Sequence, residues 1–181
     1  MTERKLEITL FVDHPAVAFR RFVEAPPGLV FDAWTLPEHL RHWWGPRGFA
    51  LVVCETDLRA GGTYRLVQRA PDGQDHAFHG RYLEIDRPRR LSRTFVYDGA
   101  PEHEALETVN FKPDGNGTLV SGESVFVSFA ARDVYARAGM EFGMRDSHLR
   151  LDDWLETMQH NNPNGGMHGQ AGGSNARESR R

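Results

Sequence analysis

Apolar and polar positions alternate along most of the chain, and the period of that alternation changes three times. Residues 6–12 alternate with a period of two, as a half-buried strand does, and are cut off by His14-Pro15. Residues 16–24 predict a further strand, stopped by Pro26-Pro27. Prolines suit the first turn of a helix, whose amides have no intrahelical partner, so a helix is expected through Val30, Phe31, Ala33 and Trp34. Pro37 opens a second short helix through Trp43, closed by Gly45-Pro46. The period of two then returns, predicting strands at 50–58, 62–69, 77–85, 91–97, 105–111 and 118–127. Short turn sequences separate them, among them Asp72-Gly73, Asp98-Gly99 and Asp114-Gly115-Asn116-Gly117, and such connections favour antiparallel neighbours.

The last stretch shifts to helical spacing. Ser128 is the expected N-cap of one long terminal helix, along which Met140, Met144, Ser147, Leu151, Trp154 or Leu155, and Met158 recur on one stripe. Asp152 is expected off that stripe, where its loss would cost little. Gly139 and Gly143 would fall inside the helix, each costing about 1 kcal/mol relative to alanine. Either a strand backbone or a ligand must then come close to them, close packing being preferred. Strands in a meander followed by one long helix make an α+β layout, with the helix laid across a curved antiparallel sheet.

Composition narrows the class. The chain has 181 residues, 39% of them hydrophobic, and 11 Phe, 4 Trp and 4 Tyr give it an aromatic core. With 22 Lys and Arg against 25 Asp and Glu, it lacks the basic footprint that nucleic acid requires. The lone cysteine, Cys54, can form neither an internal disulfide nor a cysteine zinc cage, and an inert core thiol in a reducing compartment is expected. No apolar run approaches the roughly 20 residues of a membrane span, and the first residues show no leader pattern, so a cytoplasmic location is expected. The organisation expected is an N-terminal extension over 1–15 able to add an edge strand, a folded body over 16–160, and a glycine-rich, net-basic tail over 161–181 with too little to bury to be ordered.

A family likeness emerges from motifs in order. Phe31-Asp32-Ala33-Trp34-Thr35, Pro37-Glu38-His39-Leu40, Trp43-Trp44-Gly45-Pro46 and Asp57-Leu58-Arg59-x-Gly61-Gly62 are followed by Gly80-Arg81-Tyr82-Leu83-Glu84-Ile85, Arg132-Asp133, Gly139-Met140-Glu141 and Arg150-Leu151-Asp152. Over residues 16–158 the chain resembles the SRPBCC superfamily (START-like, birch-allergen-like), in the branch of the activator of heat shock protein 90 ATPase. The resemblance implies a helix-grip fold: two short helices after the first strand, and a seven-stranded sheet gripping the terminal helix around an apolar cavity. It implies either a small-molecule binding protein or a chaperone-interaction module; cyclase and hydrolase chemistry also occurs on this superfold.

The residues themselves name no reaction. There is no G-x-S-x-G, P-loop or H-E-x-x-H, and no catalytic set or cofactor is expected. His39 and His42 share a helix face without a third ligand nearby in sequence, and His76 and His79 fall on opposite strand faces, so no metal site is expected. The candidate cavity residues are Trp34, Trp43 and Trp44 as lid or pocket mouth, with Met140, Met144 and His148 on the helix and Phe95 and Val109 on the strands. A hairpin between 91–97 and 105–111 sets Arg93 opposite Glu107, giving a paired charge inside the cavity if those faces point inward and a solvated pair if they do not. The expected partner is a small apolar or aromatic molecule, with no nucleic acid and no membrane; the chaperone partner is the alternative.

Overall fold

A computed structural model describes residues 5–161. Eight strands form one antiparallel sheet in the spatial order β1-β2-β8-β7-β6-β5-β4-β3. They are β1 Glu7–Leu10, β2 Ala16–Val23, β3 Ala50–Thr56, β4 Thr63–Arg69, β5 Asp75–Asp86, β6 Arg90–Tyr97, β7 Ala105–Asp114 and β8 Gly117–Phe126. The resemblance implies seven strands. The eighth is β1, which comes from the N-terminal extension and pairs antiparallel with β2, Glu7 opposite Arg20.

Two short helices, α1 Pro27–Thr35 and α2 Pro37–Trp43, follow β2. Leu36 serves as the C-cap of the first and the N-cap of the second, with φ −87° and ψ 132°. It precedes a proline, whose ring excludes the helical region, so the chain must break there and restart. The Trp43 indole donates to Ala33 O at 2.8 Å and ties the two helices together.

The terminal segment is two helices, not the single one the spacing predicts: α3 Phe129–Arg137 and α4 Met140–Asn161. Ser128 caps α3 by accepting from Ala131 N at 3.1 Å. Gly139 separates the helices at φ +87°, a left-handed position that glycine occupies without steric cost. Neither glycine marks a close approach, because a Cβ at Gly139 or Gly143 would meet no atom within 4 Å. The expected tail boundary also moves: Asn161 still belongs to α4, and the expectation for 162–181 lies outside the described residues.

The core lies between the concave face of the sheet and these helices. Val30, Phe31, Leu66, Val120 and Leu151 are fully buried there. The nearest neighbours of α4 are α2, α3 and α1 rather than any one strand. Among the described residues, no helix is long and apolar enough to cross a membrane.

Candidate functional site

The register of β5, β6 and β7 sets Arg93 opposite both Tyr82 and Glu107. All three project to the concave side, where the Arg93 guanidinium lies 4.6 Å over the Tyr64 ring and 5.9 Å from that of Phe95. Arg93 Nε donates to Glu107 Oε2 at 2.9 Å, and the Ser124 hydroxyl donates to Glu107 Oε1 at 3.3 Å. The side chains are 9% and 20% exposed. Of the two orientations the sequence leaves open, the inward one is found. Burial raises the Tyr64 and Tyr82 phenols above their ordinary range, so both are neutral beside the pair.

Aromatic rings lead outward from this pair. Phe78 lies 5.4 Å from Phe95, 5.1 Å from Tyr97 and 5.1 Å from Trp44, while Tyr135 of α3 lies 6.1 Å from Phe95. Phe78, Phe95, Tyr97, Trp44 and Met140 are only half-buried. Across from them is the first turn of α4. Ser147 accepts from Gly45 N at 3.1 Å and donates to Gly143 O, which sets that turn over the segment next to Trp44. Half-buried Gly143 faces the same way as Ser147, one turn later, and a methyl group there would find open space. These half-buried rings, with the neutralised ion pair beneath them, outline the candidate cleft.

The other end of the concave face is filled. His148 is 4% exposed, with Phe19, Trp34 and Trp43 ring centroids at 5.1, 5.4 and 6.1 Å. Trp34 also packs on Trp43 at 4.7 Å and on Phe111 at 5.6 Å. Burial first, and the Arg21 charge second, bring the His148 pKa down to about 3, so the ring is neutral. Its Nδ1 is buried without a hydrogen-bond partner.

A profile of the family "Activator of Hsp90 ATPase homolog 1-like protein" matches residues 24–156. The chain belongs to this family. Solved structures agree on the fold. A Rhodobacter sphaeroides protein is 27% identical, with a TM-score of 0.78 over 84% of this chain and 99% of that one. An Arthrobacter aurescens protein is 25% identical, with a TM-score of 0.76 over 83% and 91%. A Chromobacterium violaceum protein is 29% identical, with a TM-score of 0.66 over 78% and 97%. No curated protein matches the sequence.

In this family member the candidate residues divide into two groups. Trp34, Trp43, Val109 and His148 sit in the filled block. Arg93, Phe95, Glu107, Trp44 and Met140 belong to the cleft end, and Met144 is half-buried on α4. Trp44 packs against the core that holds Trp34 and Trp43 but turns its ring edge-on to Phe78, at 5.1 Å. Sequence reading missed Tyr64, Phe78, Tyr82, Tyr97 and Ser124. Parity along β5 was the available signal for Phe78, which shares a face with Tyr82 ahead of the bulge between Tyr82 and Glu84. Cys54 is buried and its thiol pushed up by that burial, while His39 and His42 pack on Trp154, His42 at 3.5 Å. Among the described residues no three His, Cys, Asp or Glu side chains gather as a metal site would need.

Proposed function

We propose that the protein binds a small, flat, largely apolar molecule carrying a neutral polar group, in the cleft between the start of α4 and strands β5 to β7. The observation that carries this reading is the Arg93–Glu107 pair, held on an apolar wall under rings that remain half-buried. Here the charges cancel, so a carboxylate would meet Glu107 and an ammonium would meet Arg93. A hydroxyl can donate to Glu107 and accept from Arg93, and a carbonyl can accept from Arg93. The apolar rings supply affinity by burying flat area.

The test is titration of the protein with 4-hydroxybiphenyl, followed by tryptophan fluorescence, alongside native mass spectrometry of freshly purified protein. Binding in the wild type and its loss in Gly143→Leu, which fills the open space beside the first turn of α4, is the expected result. Binding that survives Gly143→Leu would place the probe elsewhere. The family description favours a second reading, a chaperone-interaction module. Stimulation of the ATPase of a cognate heat shock protein 90, with no probe binding, would put that reading in first place.

A further inference from the structure

The cleft ends, at the side away from its floor, in polar groups that the Arg93–Glu107 pair does not use. His76 Nδ1 and the Tyr97 hydroxyl lie 3.1 Å apart, and both side chains are half-buried. Phe78 pairs with Tyr97 across the β5–β6 ladder, and His76 lies two residues from Phe78, so all three share the concave face. Opposite His76 in the β4–β5 ladder stands Gln68, whose buried side-chain Oε1 has no hydrogen-bond partner among the described residues. A buried carbonyl oxygen left unmet is costly, and it marks a place where a donor is missing.

The spacing of the two polar ends follows from the strand. Tyr97 is four residues beyond Arg93 on β6, about 13 Å at the rise of an extended chain. Between them the wall is apolar: Phe95, Phe78 and the edge of Trp44. A single ring reaches one polar end only. Two linked rings lying along Phe95 and Phe78 reach from one to the other.

We infer that the cleft selects a neutral, two-ended aromatic molecule, with one hydroxyl or carbonyl group at Arg93 and Glu107 and a second at Tyr97 and His76. The inference rests on the binding site proposed above and adds to it the length of the ligand and its second polar group. Tyr97 and His76 act as specificity residues at the mouth. Their hydroxyl and ring nitrogen can each donate or accept, so the second group need not be charged.

The experiment compares 4,4′-dihydroxybiphenyl with 4-hydroxybiphenyl by calorimetric titration, in the wild type and in Tyr97→Phe. This substitution keeps the ring that packs on Phe78 and removes only the hydroxyl. In the wild type the two-ended probe should bind about fivefold to tenfold more tightly, the worth of one net hydrogen bond. In Tyr97→Phe the two probes should bind within about twofold of each other. Equal affinities in the wild type, or an advantage that persists in Tyr97→Phe, would overturn the two-ended site while leaving the cleft intact. If neither probe binds the wild type, the cleft reading falls together with it.

Discussion

Under α1 and α2 the rings of Trp34, Trp43, Phe111 and His148 pack on one another and are all buried, with half-buried Phe19 stacked on Trp34. Toward α3 the rings of Phe78, Phe95 and Tyr97 also stack, but each keeps one side uncovered. Both ends draw on the same residue types and the same strand parity. The difference comes from the helices. The Trp43 indole locks α2 to α1 over one end, whereas Gly139 breaks the terminal segment into α3 and α4 at the other. Each end also contains an inward arginine paired with a carboxylate, Arg21 with Asp152 and Arg93 with Glu107. Ring packing alone therefore does not make a site. What distinguishes the cleft is the wall it lacks.

The two ion pairs offer the largest test of that contrast. The Arg21 side chain is 2% exposed, also donates to His148 O at 2.9 Å, and its Nε has no partner among the described residues. Asp152→Ala leaves that guanidinium buried without its carboxylate, so urea unfolding should show a loss of about 3–5 kcal/mol. This reverses the sequence expectation that Asp152 is dispensable beside Leu151. The double change Arg21→Met with Asp152→Ala should recover much of the loss, and a double variant as unstable as the single one would mean the pair is not the source.

A second test reads the filled end through its histidine. The His148 pKa in the folded protein, about 3, lies below the ordinary 6.5. Between those values the unfolded chain takes up a proton that the folded chain refuses. His148 therefore contributes stability in full above about pH 6.5, and this declines by about 1.4 kcal/mol per unit as pH falls. By pH 5 the loss is about 2 kcal/mol. Unfolding free energies at pH 7 and pH 5 in the wild type and His148→Gln check it. The variant should have the shallower dependence, and identical dependences would locate the titration elsewhere.

The cleft pair should be the more forgiving of the two. Glu107→Gln leaves Arg93 in its place over the Tyr64 ring and keeps an amide oxygen as its acceptor, so the cost should be about 1–2 kcal/mol, below that of Asp152→Ala, which removes the acceptor altogether. Arg93→Met with Glu107→Gln should restore most of it in a double-mutant cycle. A loss as large as at Arg21 would show that the cleft end is sealed as tightly as the block.

Much of this was legible in the sequence. Strand parity put Arg93 opposite Glu107, and Ser128 announced the start of α3. Prolines and glycines framed α1 and α2, because those residues restrict the backbone locally. What escaped depends on partners far apart in the chain. Arg21 and Asp152 are 131 residues apart, and nothing near Asp152 shows that a buried guanidinium will reach it. The turn of Trp44 toward Phe78 arises because Gly45 is held by Ser147, again a distant contact. Gly139 was misread as a helical residue because the apolar spacing continues on both sides of it, and spacing does not record the sign of φ.

That pair of glycines supplies the smallest and most pointed test of what separates the two ends. Gly143 lies within α4, its φ is not among the positive ones, and a Cβ there meets nothing within 4 Å. Gly143→Ala should therefore stabilise by about 0.5–1 kcal/mol through helix propensity alone. Gly139 also has room for a Cβ, but its φ of +87° is strained for any L side chain. Gly139→Ala should destabilise by about 1–2 kcal/mol, or straighten the junction so that α3 and α4 fuse. Fusion would draw the start of α4 out of its present place and alter the cleft, while leaving Trp34, Trp43 and His148 packed as they are. Thermal midpoints of the two alanine variants, read beside 4-hydroxybiphenyl affinity, separate these outcomes. If both glycines respond with the same sign, the left-handed backbone at Gly139 is not what sets the α3–α4 junction.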